Sequence, residues 1–315
     1  MSTASPVPQT YHLEDDEARD TLRDCGRMQL AKDAFKRFRV ADGFSHSRAL
    51  AFQVVLSLLP GLIAFVGFIN VINQDALKRA AQTALVDFAP GPASKILTQA
   101  FQQGSSTGTT PLLVGLVGTV VAGTLAMGQL ERGANRIYGV ERDRPTLAKY
   151  TTGFVLAISA GLLTVIAFIA FVAGSAAGQA AQATGISKSV ITVWTFARWP
   201  LGIIAVVAAF ALLFKHSPRR HQPDASWLAH GSALSTLLWF VFTGLLSFYL
   251  TASKSFGQTY GPLAGIVGIL LWAFLTSLAL HLGLAFAAQL EAARAGVPNP
   301  QTAEDRYDPP EHQKG

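Results

Sequence analysis

A histidine placed inside a long apolar run is rare, because a polar ring in hydrocarbon is costly unless a partner or a ligand meets it. His281 is such a residue: it lies about ten residues, or ~15 Å of helix, before Glu291 and one turn after Ser277. An imidazole in water titrates near neutral pH, so the residue type suits proton handling or contact with a substrate; a core histidine bonded to serine is the plainer alternative. Gln129, Glu131, Arg132 and Asn135 form a second set at the end of another apolar run. Glu131 is expected to pair with Arg132 or, across a bundle, with Arg48, an ordinary interfacial ion pair being the simpler reading.

The third set lies in SHSRALAFQVVLSLLP, residues 45 to 60. On a helix Ala49, Gln53, Ser57, Pro60, Ala64 and Gly67 share one face, with Leu50, Val54, Leu58 and Phe65 elsewhere. Lipid offers no partner to the Gln53 amide, so this face is predicted to pack on other helices or line a polar cavity. Pro60 removes a backbone hydrogen bond and predicts a bend near Leu56. Arg48 falls at the edge of the run, where a guanidinium can grip a phosphate or carboxylate. Arg48, Gln53, Ser57, Glu131, Asn135 and His281 are therefore the candidate substrate path, with Arg48 at its mouth. Pro60, Gly261 and Gly265 are the structural candidates, the glycines because GxxxG spacing permits close helix contact; Gly174 and Gly178 repeat it.

Other chemistries find little footing. The seven histidines, at 12, 46, 216, 221, 230, 281 and 312, are scattered. His216 and His221 lie close together in KHSPRRHQPD, but two ligands make no site, so no metal and no cofactor are expected. No glycine-rich phosphate loop is present, so any transport would be facilitated or ion-coupled. Cys25 stands alone and forms no intrachain disulfide.

These residues must be positioned by membrane helices. Half of the 315 residues are hydrophobic and only 14% are charged, too apolar for an ordinary soluble chain. A span needs about 20 apolar residues. Six segments qualify, at 49–72, 111–130, 151–174, 199–214, 227–250 and 263–288, the fourth being shortest, with Arg198-Trp199-Pro200 as its interfacial start. All but six of the 25 Lys and Arg residues (Lys78, Arg79, Lys95, Lys188, Arg198 and Lys254) fall in the N-terminal segment, the second and fourth loops and the tail. By the positive-inside rule both termini are cytoplasmic. The net charge of +6 is an orientation signal, with some attraction to anionic lipid, and no argument for nucleic acid.

The expected architecture is all-α and polytopic. Residues 1–25 form a disordered tail without a cleavable signal core, 26–43 an amphipathic helix, 44–291 the six-helix membrane domain, and 292–315 a second disordered tail. In the amphipathic segment Met28, Ala31, Phe35 and Phe38 recur at helical spacing among Lys32, Lys36, Arg37 and Arg39, which suits a membrane surface; a basic helix packed on the cytoplasmic loops is the alternative. The long first outer loop breaks at Pro90-Gly91-Pro92 and predicts two short capping helices.

Three motifs carry a resemblance. Arg48-Ala-Leu-Ala-Phe52 followed by Leu56-Ser-Leu-Leu-Pro60, then Asn135-Arg136-Ile137-Tyr138-Gly139-Val140 with Arg144-Pro145, and Tyr260-Gly261-Pro262-Leu263-Ala264-Gly265, resemble the YihY/BrkB family of bacterial inner-membrane proteins, within it the YhjD branch, from about Phe35 to Glu291. The family's last helix commonly runs from its glycine into an acidic residue, whereas here Leu284 and Ala285 follow Gly283 and Glu291 comes later. The resemblance implies a multi-pass inner-membrane protein tied to envelope integrity, serum resistance and lipid or solute export; the family's label as ribonuclease BN is regarded as misplaced. Export of a lipid or other amphiphile is thus the expected function, with a non-transporting envelope scaffold as the alternative. The expected partners are membrane lipids; a second copy of the chain is left open.

Overall fold

The structure is a computed structural model and describes residues 3–9, 17–72, 109–173, 187–223, 225–253 and 263–301. Its regular elements are helices: α1 (Glu17–Asp24), α2 (Arg27–Val40), α3 (Gly43–Ile72), α4 (Thr110–Tyr138), α5 (Thr146–Phe168, continued by a π-helical turn over Ile169–Ala173), α6 (Lys188–His216), α7 (Ala225–Ala252) and α8 (Ala264–Arg294). From α3 onward each is long and apolar enough to cross a membrane, six in all. Consecutive spans pack side by side, and α8 closes back on α3, so the six make a ring in chain order. Little of each span is buried in protein except on α8. Side chains such as Val117, Leu162 and Phe248 point outward, as lipid contact requires.

Small residues set the tightest contacts. The α3–α4 pair is the most extensive: a β-carbon on Gly67 would lie 2.6 Å from the Leu112 nitrogen, and one on Gly115 would overlap Ala64 and sit 2.8 Å from the Pro60 carbonyl oxygen. Pro60, Ala64 and Gly67 therefore face α4, as the shared face predicts, and α3 continues through Pro60 as one helix. A second close approach joins α7 to α8, where a β-carbon on Gly231 would lie 2.6 Å from the Gly283 carbonyl oxygen.

Three expectations are revised. The fourth span begins at Ser189, not Trp199, and holds Pro200 in its interior. The residues before Arg198 are apolar enough to extend the span despite their β-branched side chains, and the Arg198 guanidinium lies 5.5 Å over the Trp199 ring instead of ending the span. The amphipathic helix α2 turns a different face inward: Leu30, Ala34, Arg37 and Phe38 are buried, while Met28 and Phe35 are exposed. The stripe of Met28, Ala31, Phe35 and Phe38 thus straddles the edge between core and surface. Finally, residues 3–9, read as part of a disordered tail, run along the end of α4: Ala4 N–H donates to the Arg136 carbonyl, Ser5 N–H to that of Pro300 and Val7 N–H to that of Tyr138. Residues 3–9 therefore meet the stretch after α8, at Asn299 and Pro300, at one end of the bundle. The first outer loop, with its predicted helices, and the Gly174–Gly178 pair lie outside the described residues.

The spans also run further at this end than their apolar cores. α3 starts at Gly43, α4 ends at Tyr138, α5 starts at Thr146 and α8 ends at Arg294. These polar helical extensions hold Arg48, Glu131 and Asn135 of the candidate path, while Gln53, Ser57 and His281 lie within the apolar runs.

Candidate functional site

His281 on α8 is fully buried where α3, α4 and α8 converge. Its Nδ1 lies 2.8 Å from the Ser277 carbonyl oxygen and 3.2 Å from the Ser47 Oγ on α3. With Nδ1–H donating to that carbonyl, a neutral ring leaves Nε2 as an acceptor. Nε2 has no hydrogen-bond partner among the described residues. It points at Gly133 of α4, where any β-carbon would overlap the ring. The result is a buried polar seam of Ser47, Ser277 and His281 in which Nε2 and the Ser277 hydroxyl have no partner among the described residues, Nε2 being able to take a proton or a hydrogen bond from a ligand. Sequence reading found His281 and Ser277 but missed Ser47, although its place in SHSR at the start of the first span was a signal.

Glu131 and Asn135 stand one turn apart on α4 and are committed elsewhere. Glu131 pairs with Arg144, Nη1 to Oε2 at 3.1 Å, and also accepts the Arg144 backbone N–H at 2.8 Å. Arg144 in turn donates to the carbonyls of His216, Ser217 and Pro218, stitching the α4–α5 loop to the end of α6. Asn135 donates to Asp143 at 2.9 Å and accepts the Arg219 N–H at 2.7 Å. Burial raises the Asp143 carboxyl, but hydrogen bonds from Lys149 and Asn135 and the nearby Lys149 and Arg132 charges outweigh it, holding its pKa below the ordinary value. A depressed carboxylate stabilises the fold above its unfolded pKa, and that contribution fades as pH falls through the lowered one. The expected Glu131 pairing with Arg132 or Arg48 is therefore replaced: Arg144, fixed by the turn at Gly139, reaches it first. Gly139 is left-handed, φ 76°, and a β-carbon there would also strike Pro6, which accounts for glycine in the Asn135–Val140 motif.

A third cluster was not foreseen. Arg37 is fully buried, donating Nε–H to the Gln289 Oε1 at 2.8 Å and Nη1–H to the carbonyls of Ser5 and Ile137. Burial pulls its pKa down to about 10. Arg220 grips Glu291 with two hydrogen bonds, 2.6 and 2.9 Å, and its guanidinium lies 4.6 Å over the Tyr138 ring. Arg220 also donates to the Pro8 carbonyl. Late as it is after Gly283, the α8 acid is thus a buried partner of a basic loop.

The remaining candidates lie apart from these clusters. Arg48 is exposed, its guanidinium donating to the Ser45 Oγ at 3.0 Å. Ser57 donates to the Val54 carbonyl of its own helix at 2.7 Å, and Gln53 is half-buried. Gly265 is buried at the start of α8, while Gly261 lies outside the described residues.

Comparison with known proteins now has a geometry to stand on. Residues 34–308 match the family described as Virulence factor BrkB. The Putative ribonuclease-like protein YfkH of Bacillus subtilis is 25% identical over 261 residues, covering 81% of this chain and 93% of its own length. A UPF0761 membrane protein of Pseudoalteromonas atlantica is 23% identical over 250 residues, covering 77% of this chain and 79% of its own length. One from Chlorobium chlorochromatii is 24% identical over 264 residues, covering 81% of this chain and 58% of its own length. No solved structure matches. The matched stretch takes in α3 through α8 and the side chains of every cluster described above except those of residues 3–9, and the chain belongs to the Virulence factor BrkB family.

Proposed function

We propose that this chain is a multi-pass protein of the bacterial cytoplasmic membrane that moves a lipid or other amphiphile without an ATPase of its own. The observation that carries the reading is His281: a fully buried ring between three spans with its Nε2 unpartnered among the described residues. A free acceptor at that depth suits a proton or a polar headgroup in transit. Arg48 stands exposed on α3 near the same end of the bundle, where an anionic headgroup would first be met. Nuclease chemistry is no part of the proposal: among the described residues no three His, Cys, Asp or Glu side chains group as metal ligands. The second reading, a non-transporting envelope scaffold, is favoured by the terminal-end network, in which Glu131, Asn135, Arg37 and Glu291 are all satisfied by protein partners.

Arg48→Ala separates the two. Under transport, envelope function in a deletion strain is lost at unchanged membrane abundance, and Arg48→Lys rescues in part because it keeps the charge without the planar fork. Normal function of well-expressed Arg48→Ala rejects Arg48 as the mouth. The proposed orientation, with both termini cytoplasmic, predicts that reporter fusions near Arg142 and Arg219 read cytoplasmic and one near Gly91 reads outside; a cytoplasmic signal at Gly91 overturns it.

A further inference from the structure

Helix α2 divides its cations between two faces. Arg37 shares the buried face with Leu30, Ala34 and Phe38 and is bonded to Ser5, Ile137 and Gln289. On the opposite face Lys32, Phe35, Lys36 and Arg39 follow one another at i, i+3, i+4 and i+7, a single stripe of three cations and one phenyl ring. With Val40 and Gln301 they line an open groove of about 370 Å³. That size is within the range of small-ligand sites.

Two contrasts single this groove out. Several other basic side chains at this end are paired: Arg144 with Glu131, Lys149 with Asp143 and Arg220 with Glu291. Lys32, Lys36 and Arg39 have no carboxylate partner among the described residues, so the positive stripe is uncompensated there. Beside it, Phe35 is 47% exposed and Met28 72%. A polar ligand alone gives no reason to leave such apolar surface open, whereas a lipid supplies both a charge for the cations and a chain for the ring. The place agrees: Val40 is three residues before Gly43, where α3 begins, so Arg39 lies just ahead of the first candidate span.

We propose that the Lys32–Phe35–Lys36–Arg39 stripe is a binding site for the phosphodiester headgroup of an anionic membrane phospholipid, its glycerol and first methylenes resting on Phe35. The site is independent of the transport reading, since a headgroup held here anchors a scaffold equally well.

Native mass spectrometry of the full-length protein in mild detergent, titrated with phosphatidylglycerol or phosphatidylcholine of the same chains, tests it. Phosphatidylglycerol adducts should dominate. Removing one cation, as in Lys36→Gln, should weaken them roughly fivefold, and the triple Lys32→Gln/Lys36→Gln/Arg39→Gln more than tenfold. A control triple at exposed positions elsewhere, Arg27→Gln/Arg142→Gln/Lys215→Gln, should leave the preference intact. Equal loss in the control means diffuse attraction and overturns the site. Displacement of the lipid by millimolar inorganic phosphate, with Phe35→Ser having no effect, means that a free phosphate is the ligand and overturns the lipid assignment. All variants lie on the exposed surface, and a thermal melt of each confirms that lost binding is not lost fold.

Discussion

Glu291→Ala should be among the most destabilising single substitutions in this chain. The Arg220 and Glu291 side chains are each 1% exposed, bound to one another by two hydrogen bonds. Removing the carboxylate leaves a guanidinium that has given up its water without a counter-charge, a change that costs about 3–5 kcal/mol in comparable buried pairs. Against a typical total stability of ~5–15 kcal/mol this is a large fraction. Its effect should reach the terminus, because the same guanidinium stacks on Tyr138 and donates to the Pro8 carbonyl. The expected result is a melting temperature in detergent lowered well beyond that of a surface control, a fall in membrane abundance, and faster proteolysis of residues 3–9. Arg220→Met/Glu291→Leu should recover much of the loss, since an apolar pair of similar volume removes both desolvation costs together. A Glu291→Ala protein that melts with the wild type would show that the pair holds nothing together.

The six spans were legible because bilayer thickness sets the length of an apolar run, a property of each segment by itself. What hydropathy hides is the polar continuation of those helices. Residues 131–138 and 289–294 read as loop or interface by composition, yet they are helical and dense with hydrogen bonds. Pro200 misled in the same way: proline suits a helix start in water, but within a bundle neighbouring groups can accommodate it in the interior. The buried role of Arg37 was beyond any local pattern, since its partner Gln289 lies 252 positions away and only the fold joins them. The placement of residues 3–9 is likewise supplied by tertiary contacts, Arg37 and Arg220 holding carbonyls that the segment cannot satisfy alone. The Asn135–Val140 motif was visible as a pattern, whereas its task of clamping two loops required Asp143 and Arg219 to be placed beside it.

The contact between Gly133 and His281 permits a test in which packing and chemistry give opposite outcomes. Gly133→Ala improves helix propensity by about 1 kcal/mol, but its β-carbon would overlap the His281 ring. Overpacking of this kind costs ~1–3 kcal/mol, so the single variant should be net destabilised and should part α4 from α8. His281→Ala should be destabilised too, by loss of the ring and of its hydrogen bond to the Ser277 carbonyl. In the double variant the new methyl enters space the imidazole has left. The double should therefore be more stable than the sum of the singles, by a coupling of about 0.5–3 kcal/mol. Function then divides the hypotheses. If His281 only packs, Gly133→Ala/His281→Ala regains envelope function along with its stability. If Nε2 accepts a proton or headgroup during translocation, the double regains its melting temperature and abundance but remains inactive, and His281→Gln, which keeps polarity without titrating, is inactive as well. A stable and active double variant would remove His281 from the transport path and leave the scaffold as the better account of this membrane domain.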